Sequence, residues 1–337
     1  MRSFMFSRAT DVSSAVQQAS TDNAHFIAGG TNLLDLMKYD VARPHKLVDI
    51  NRIPLKNIEE LSDGGLRLGA LVTNAETAYD SRVQKRYPVL SSAILAGASA
   101  QLRNAATNGG NLNQRTRCYY FYNSHMPCNK RDPGSGCGAI GGVTRVHGIL
   151  GTSPSCIATH PSDMCVALAV LNAQVRVAGL AGERVVAFAD YHRLPGDKPW
   201  IDNTLEQGEL VTAIDLPAED FSGHYTYLKL RDRQSYTFAL VSVAVVMRME
   251  QGLVVEARLA LGGVAHKPWR IPAAEQLLQE KPPAREAFLR VADALVEGAA
   301  GQGDNDFKIK LAHRAIVRAC QQAANGTPQS QSDKRIA

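Results

Sequence analysis

Residues 25–38 read "HFIAGGTNLLDLMK", and this stretch gives the first indication of the fold. A short apolar run leads into the paired Gly29 and Gly30, then into polar Thr31 and Asn32, and then into apolar residues at helical spacing. This order predicts a strand, a tight loop and a helix. Paired glycines allow backbone N–H groups to converge on an anion, and the start of the following helix adds its positive end. The spacing G-x-G-x-x-G is absent, so the stretch is not the usual dinucleotide motif.

A second glycine loop lies at residues 104–114, "NAATNGGNLNQ". It contains Thr107, Gly109, Gly110 and Asn111, so both loops combine paired glycines with Thr and Asn. Two such loops predict a diphosphate held from two sides. Further along, "THPSDMCVALAVLNAQV" predicts a helix with Asp163 in its first turn. That carboxylate either caps the helix or accepts hydrogen bonds from a ribose.

Four of the six cysteines fall in one irregular, glycine-rich region that includes "CNKRDPGSGC" at residues 128–137. The intervals between them are nine, eight and eighteen residues. Two disulfides are one interpretation, if the chain is exported. A zinc site is a second, although zinc usually takes its cysteines in close pairs. An iron–sulfur cluster is a third, because its ligands come from widely spaced loops, and the spacing favours it over zinc. The four cysteines are Cys118, Cys128, Cys137 and Cys156.

The other two cysteines, Cys165 and Cys320, lie in apolar helical runs and are predicted to pack as small core residues. The net charge of +5 is concentrated beside the clustered cysteines. Residues 113–150 carry five basic side chains and one acidic side chain, a local balance of +4. This charge indicates a solvated surface or compensation for an anionic group built on the cysteines. Nucleic-acid binding is not favoured, because no recognition helix or aromatic ladder accompanies the charge.

Composition and periodicity predict an α+β protein of about two domains. With 45% hydrophobic and 20% charged residues, the chain has an ordinary globular composition. The longest apolar run, residues 238–247, is about half the length of a membrane helix, so no membrane span is expected. We expect subdomains at residues 1–56 and 57–218, with an insert at 113–159, then an antiparallel sheet with helices at 219–324. Residues 325–337 are polar and are predicted to form a disordered tail.

Four motifs in a fixed order carry a family resemblance: "AGGTNLLDLMK", "ATNGGNL", "PSDMCVALAVLNA" and "YLKLRDRQSYTFALVSVAV". Together they resemble the FAD-binding subunits of the xanthine dehydrogenase family of molybdenum hydroxylases. The cysteine-rich insert between Leu112 and His160 is similar to that of bacterial periplasmic aldehyde oxidoreductases, whose FAD subunit carries a [4Fe–4S] cluster there. The phrases "QRTRC", "PCNKR", "PGSGC", "CIATHPSD" and "GGVAHKPWR" carry this closer resemblance. The implied fold is a two-part FAD-binding domain of the xanthine dehydrogenase and vanillyl-alcohol oxidase type, followed by an α+β domain.

The resemblance also implies roles for individual residues. Asp163 would hold the adenosine ribose, and Lys229 and Leu210 would approach the isoalloxazine ring. Asn108 departs from the family pattern, which has a branched apolar residue before Gly109. The expected ligands of the [4Fe–4S] cluster are Cys118, Cys128, Cys137 and Cys156. The expected pyrophosphate contacts are Ala28, Gly29, Gly30, Thr31, Asn32 and Leu33 from the first loop, and Thr107, Gly110 and Asn111 from the second.

The implied function is electron transfer within a heterotrimer. A partner subunit with the molybdenum cofactor would hydroxylate an aldehyde, a small subunit with [2Fe–2S] clusters would relay electrons, and FAD on this chain would pass them to an acceptor. The chain needs no catalytic acid or base, and His160 and His266 are predicted to be structural. The N-terminus shows no export signal pattern, so we expect a periplasmic location through co-export with a signal-bearing partner, and otherwise a cytoplasmic one.

Two other functions are open at this point. A self-sufficient flavin oxidase would need its own substrate pocket, and no convergent acid/base set is visible for one. A zinc-stabilised nucleic-acid-binding module would explain the cysteines and arginines but would leave both glycine loops without a role.

Overall fold

Three β-sheets organise the chain, and the α+β class predicted from the sequence is confirmed. The computed structural model describes residues 1–21 and 23–331. The sheets lie within the predicted ranges 1–56, 57–218 and 219–324, whose limits remain a prediction. The strands are β1 (Met5–Arg8), β2 (Ala24–Ile27), β3 (Lys46–Asp49), β4 (Ile58–Glu60), β5 (Leu66–Gly69), β6 (Gln174–Gly179), β7 (Gly182–Ala187), β8 (Leu210–Leu216), β9 (Tyr225–Leu230), β10 (Val241–Glu250) and β11 (Leu253–Gly262).

Helices connect and cover these sheets, and a short 3₁₀ helix at Gln276–Leu278 precedes the last two. The helices are α1 (Val12–Ala19), α2 (Leu33–Lys38), α3 (Asn74–Tyr79), α4 (Ser81–Arg86), α5 (Pro88–Ala96), α6 (Ala100–Arg103), α7 (Asn108–Leu112), α8 (Tyr119–Tyr122), α9 (Asp163–Val170), α10 (Phe188–Tyr191), α11 (Pro272–Glu275), α12 (Arg285–Val296) and α13 (Phe307–Ala324). In the described part of the chain, no helix has both the length and the apolar character that a membrane crossing requires.

The first sheet is parallel, with strand order β1-β3-β2. Parallel strands need a crossover, which α1 supplies between β1 and β2. Asp11 begins α1 as its N-cap, and its carboxylate accepts from Ser14 N at 2.8 Å. The inner face of α1 packs with Val48 of β3. This arrangement places the first glycine loop directly after the end of β2.

The second sheet is antiparallel, with strand order β4-β5-β8-β6-β7. Helices α5 and α9 form part of its core, and both are apolar around most of their circumference because they are buried between sheets. Pro88 lies in the first turn of α5, and Ser162 caps α9 by accepting from Cys165 N at 3.0 Å. The start of α9 is thereby fixed where Asp163 can reach the site described below.

The third sheet is antiparallel, with strand order β11-β10-β9, and helices α12 and α13 cover it. Strand β10 is buried on both faces. Val243 and Val245 pack in the core that includes α12 and α13, whereas Ala244 and Val246 pack in the core that includes α9. From Val241 to Met247, the long apolar run is therefore a strand that is covered on both faces.

The chain after α13 returns along β9. Gln329 Oε1 accepts from Lys229 N at 2.9 Å, and Gln329 N donates to Thr226 Oγ1 at 3.0 Å. Gln331 Nε2 donates to Tyr227 O at 3.3 Å. The predicted disordered tail is therefore wrong over residues 325–331, because glutamines satisfy the open edge of β9. Residues 332–337 lie outside the described residues.

Candidate functional site

The two glycine loops touch each other. The first loop joins β2 to α2, and the second leads into α7. An added Cβ at Gly29 would lie 1.8 Å from the carbonyl oxygen of Ala105, so this approach requires glycine. Gly30 has a φ of +69°, in the left-handed region that favours glycine. Thr107 caps α7, because its Oγ1 accepts from Gly110 N at 3.3 Å.

A cleft of about 480 Å³ opens beside these loops. The amide group of Asn32 accepts from Arg115 N at 3.0 Å through Oδ1, whereas its Nδ2 is buried without a partner. An added Cβ at Gly110 would meet only Thr107 Oγ1, at 3.0 Å. A free amide donor and a bare glycine are features that suit close approach of a phosphate. Six of the predicted cofactor contacts line this cleft, namely Thr31, Asn32, Gly110, Asn111, Asp163 and Lys229.

The four clustered cysteines line one small cavity in the insert. Cys128 and Cys137 face each other across an isolated antiparallel bridge. The loop between them is folded around Asn129, whose Oδ1 accepts from the backbone N–H groups of Gly134 and Gly136 at 3.1 and 2.9 Å. Both glycines have positive φ, at +89° and +95°. Cys118 immediately precedes α8, and Cys156 forms a bridge with Ser153.

The spacing of the sulfur atoms bears on what they can hold. All four cysteines are free thiols, so the disulfide interpretation does not describe this structure. Of these four described residues, no three have sulfur atoms that all lie within 4.8 Å of one another. A tetrahedral zinc ion with bonds of about 2.3 Å would bring its sulfur ligands to about 3.8 Å. No three of these thiols are therefore set at the spacing that a tetrahedral zinc ion requires.

Two of the four thiols, Cys118 and Cys156, are not activated nucleophiles. Burial raises the pKa of Cys118 to about 12 and the pKa of Cys156 to about 11. At neutral pH both stay protonated unless a bound cationic group displaces the proton. Neither Cys118 nor Cys156 is therefore suited to covalent catalysis as a free thiol.

Two family descriptions cover most of the chain. "FAD binding domain in molybdopterin dehydrogenase" matches residues 2–219, and "CO dehydrogenase flavoprotein C-terminal domain" matches residues 224–323. The chain belongs to the FAD-binding subunits of molybdenum hydroxylases. Membership identifies FAD as its cofactor.

Individual relatives agree with this membership. The aldehyde oxidoreductase FAD-binding subunit PaoB of Escherichia coli (strain K12) is 48% identical over 319 residues, which cover 94% of this chain and 97% of that protein. The carbon monoxide dehydrogenase medium chain of Afipia carboxidovorans is 27% identical, and the match covers 96% and 99%. Among solved structures, carbon monoxide dehydrogenase from Hydrogenophaga pseudoflava gives a TM-score of 0.76 at 27% identity, covering 96% of this chain and 98% of that one. The predicted fold type and the oxidoreductase class are confirmed.

Within this FAD-binding subunit, Asp163 and Lys229 lie side by side. Lys229 Nζ donates to Asp163 Oδ2 at 2.8 Å and to Ala96 O at 3.1 Å. Tyr227 donates to the other oxygen of Asp163 at 2.6 Å. The expected roles placed Asp163 at the adenosine ribose and Lys229 at the isoalloxazine ring. The structure places the two side chains in one ion pair, and their separate roles at the ribose and at the isoalloxazine ring remain predictions.

Leu210 was expected to approach the isoalloxazine ring, and this role also remains a prediction. It is buried in the core that joins the first two sheets, where Ala28 packs against the same cluster, and it does not line the cleft. Asn108, the departure from the family pattern, is fully buried. Its Nδ2 donates to Thr77 Oγ1 at 2.9 Å, and its Oδ1 accepts from Asn74 Nδ2 at 3.2 Å. Asn108 therefore forms a buried polar network with Thr77 and Asn74 at this loop.

The basic residues of the insert are paired with carboxylates. Lys130 and Arg115 both bind Asp202, and Lys130 Nζ also donates to Pro199 O at 2.7 Å. Burial alone would raise the pKa of Asp202, but these two cations outweigh it and hold that pKa well below its usual range. Arg131 donates to the carbonyls of Tyr120 and Phe121 and so caps α8. Much of the local positive charge is therefore balanced by acidic residues and carbonyl groups.

Sequence reasoning missed His147, which contacts the cysteine centre. Its Nε2 lies 3.0 Å from Cys118 Sγ, and its Nδ1 is buried without a partner. Burial lowers the pKa of His147 to about 4, so the ring is neutral at neutral pH. Its carbonyl oxygen accepts from Lys308 Nζ at 2.7 Å and from Asn305 Nδ2 at 3.3 Å. A single histidine 29 residues from its cysteine leaves no pattern in the sequence.

Arg117 was missed as well, although it lies directly before Cys118. It lines the 480 Å³ cleft and also a second cavity of about 330 Å³, which Cys118, His147 and Asp163 line too. Arg117 donates to Asp35 Oδ2 at 3.1 Å, and its Nε is buried without a partner. The second cavity therefore shares lining residues both with the 480 Å³ cleft and with the small cavity of the four cysteines.

The remaining two cysteines are core residues, and one of them lies beside two histidines. Cys165 and Cys320 are fully buried, as predicted. Cys165 lies within 4.8 Å of ring nitrogens of His160 and His192, and the two rings are 4.3 Å apart between centroids. His266 Nδ1 lies 3.0 Å from Arg193 O. The structural role expected for His160 and His266 remains a prediction.

Proposed function

We propose that this chain is the FAD-binding electron-transfer subunit of a molybdenum-dependent aldehyde oxidoreductase, and that its insert holds a [4Fe–4S] cluster. The observation that carries the proposal is the meeting of four cysteines around one cavity next to the flavin cleft. The aldehyde substrate comes from the 48% identical relative, which is named an aldehyde oxidoreductase subunit.

The flavin half of the proposal rests on the glycine loops. When bound, FAD supplies the redox chemistry, and the protein supplies binding and orientation. We assign the pyrophosphate to the space between the two loops, where Asn32 offers a free amide donor and Gly110 leaves room. Asp163 and Lys229 fix α9 to β9 at the wall of the cleft. The proposed contacts are Ala28, Gly29, Gly30, Thr31, Asn32, Leu33, Thr107, Gly110, Asn111, Asp163 and Lys229.

The cluster half rests on the sulfur geometry. We assign Cys118, Cys128, Cys137 and Cys156 as ligands, because they share one cavity and their sulfurs are spread more widely than zinc requires. The second cavity joins the wall at Cys118 to the wall at Asp163. We propose that electrons pass between the two centres along the residues that line this second cavity.

The partners and the location are part of the same proposal. The relatives include medium chains and FAD-binding subunits, names that belong to multi-subunit enzymes. We propose a heterotrimer with a molybdenum-cofactor subunit and a [2Fe–2S] subunit, in which this chain passes electrons to an external acceptor. Periplasmic location through co-export is proposed on the insert's resemblance to periplasmic enzymes. Fractionation of cells that express all three subunits tests it, and recovery of the assembled complex in the cytoplasm would contradict it.

An absorption spectrum combined with metal analysis of the purified complex and of the isolated chain tests the function. We expect flavin bands with a broad iron–sulfur shoulder on the isolated chain, together with iron and acid-labile sulfide. Flavin bands without iron would remove the cluster and leave the FAD subunit. Zinc with no flavin would overturn both halves in favour of a zinc-stabilised module.

A further inference from the structure

The ring of His147 makes its hydrogen bond to one of the proposed ligands. Its Nε2 lies 3.0 Å from Cys118 Sγ, whereas Nδ1 has no partner. A ligating cysteine is a thiolate, which only accepts hydrogen bonds. The hydrogen must then reside on Nε2 and point at the sulfur. His147 is thus oriented as a donor to the Cys118 thiolate.

The C-terminal domain holds this histidine in place. Lys308 Nζ donates to His147 O at 2.7 Å, and Asn305 Nδ2 donates to Gly148 O at 3.0 Å. Thr144 Oγ1 donates to Gln302 O at 3.2 Å. Both Lys308 and Asn305 are fully buried, and they lie at the start of α13, far along the chain from the insert. These residues form a clamp, residues 302–308, on the segment that carries His147.

Lys308 makes the clamp unusual. Its ammonium group is buried and donates to the carbonyls of His147 and Gly263, and no carboxylate of the described residues forms an ion pair with it. A buried cation without a counter-ion is unfavourable, so such a residue is expected beside an anionic group. An anionic cluster on Cys118 would supply that negative charge from the other side of His147. The clamp therefore positions His147 and also places a positive charge where it would stabilise an anionic cluster.

We propose that His147 is a positioning residue that raises the reduction potential of the cluster, and that the 302–308 clamp holds it in that role. The inference rests on the proposed [4Fe–4S] cluster. An N–H donor stabilises a sulfur ligand more when the cluster carries the extra electron, because the negative charge on sulfur is then larger. The hydrogen bond therefore favours the reduced form. In this way the C-terminal domain would set a property of a centre that lies in the insert.

The test uses the assembled complex and three variants. His147→Phe keeps a ring but removes the donor, His147→Gln retains an N–H at a similar reach, and Lys308→Met loosens the clamp while the histidine stays. His125→Phe is the matched control, because His125 is an exposed histidine of the same insert. Iron and acid-labile sulfide per chain are measured first, and the midpoint potential is then measured by a redox titration followed by electron paramagnetic resonance.

We expect His147→Phe to shift the cluster potential to more negative values at unchanged iron content. His147→Gln should bring the potential most of the way back to that of wild type. Lys308→Met should shift the potential in the same direction as His147→Phe but by less, and His125→Phe should have the wild-type potential. An unchanged potential in His147→Phe with iron retained would overturn the role of His147. If His147→Phe loses iron, the Gln variant decides: a potential near wild type supports the donor role, and loss of iron there too contradicts it. Absence of iron from the wild-type protein would instead refute the cluster itself, which separates the two failures.

Discussion

Gly29 and Gly110 serve the cleft in different ways, although both belong to paired glycines. An added Cβ at Gly29 would lie 1.8 Å from the carbonyl oxygen of Ala105, so the contact between the loops excludes any larger residue. An added Cβ at Gly110 would meet only Thr107 Oγ1, and Gly110 lines the cleft. Gly110 is therefore the residue at which added volume fills the cofactor space without breaking the fold.

The first prediction is that Gly110→Val reduces FAD content at least several-fold while the chain stays folded. The valine side chain would occupy the space assigned to the pyrophosphate. Flavin absorbance per chain after gel filtration measures the loss, and circular dichroism checks the fold. Gly223→Val is the control, because Gly223 is exposed and an added Cβ there has open space. Stoichiometric FAD in Gly110→Val would show that the second loop does not hold the cofactor.

The second prediction concerns the buried ammonium of Lys308. Burial lowers its pKa to about 7, from an ordinary value of 10.5. Between these two values the unfolded chain binds more protons than the folded chain, so the stability of the fold rises with pH across this window. Lys308→Met removes this dependence. The free energy of unfolding of wild type relative to the variant should therefore fall as the pH is lowered from about 10 to about 7, by on the order of 4 kcal/mol at most.

Urea unfolding of the isolated, iron-free chain at several pH values measures this difference. Comparing the two proteins at each pH cancels the titration of all other groups. Parallel curves for wild type and Lys308→Met would mean that Lys308 keeps its ordinary pKa in the fold.

At the scale of elements, the loop at residues 128–137 has its own internal support. Asn129 Oδ1 accepts from two backbone N–H groups across the loop, and Asn129 Nδ2 donates to Ser155 O at 3.1 Å. This one side chain therefore joins the Cys128 loop to the segment that carries Cys156. A loop of this irregularity has little apolar core, so such bonds account for much of its order.

The third prediction is that Asn129→Ala lowers iron content and leaves FAD content unchanged. Loss of the amide leaves loop N–H groups without an internal acceptor, a cost of about 1–3 kcal/mol for the loop. Iron per chain and the rate of proteolytic cleavage within residues 128–137 are the measurements. Asn123→Ala is the matched control, because Asn123 is exposed and its side chain accepts only from the nearby His125 N. Equal iron content in both variants would contradict the role of Asn129 in ordering the loop at residues 128–137.

The sequence predicted elements well where one physical rule dominates. The glycine loops, the helix that starts at Asp163 and the apolar strand β10 follow from periodicity and from the chemistry of turns. Contacts between segments that lie far apart in the chain could not be predicted from the sequence, because they leave no local pattern in it. The bond between His147 and Cys118, the docking of Gln329 on β9 and the pairing of Asp163 with Lys229 are of this kind.

At the scale of the whole molecule, the insert and the cleft are neighbours rather than separate modules. Arg117 lines both the cleft and the second cavity, and Cys118 follows it in the chain. The FAD-binding subunit fold is shown by the family match, whereas the cysteine centre belongs to the insert alone. The cleft assigned to FAD and the proposed cysteine centre therefore lie close together in one chain.

The fourth prediction is that the isolated chain does not oxidise aldehydes. In the described part of the chain, the carboxylates that line the cleft are already paired with basic side chains, Asp163 with Lys229 and Asp35 with Arg117, and three of the four clustered thiols are buried. Aldehyde turnover with an artificial electron acceptor is measured for the isolated chain and for the assembled complex. Robust turnover by the isolated chain, shown by metal analysis to be free of molybdenum, would favour a self-sufficient flavin oxidase.

The most direct test of the central claim is the iron and acid-labile sulfide content of six Cys→Ser variants. We expect about four iron and four sulfide per chain in wild type, in Cys165→Ser and in Cys320→Ser, because those two thiols are packed in the cores. Loss or degradation of the cluster with FAD retained is expected when any one of Cys118, Cys128, Cys137 or Cys156 is replaced. Full iron in Cys118→Ser together with loss in Cys165→Ser would contradict the ligand assignment, and zinc in place of iron would contradict the cluster.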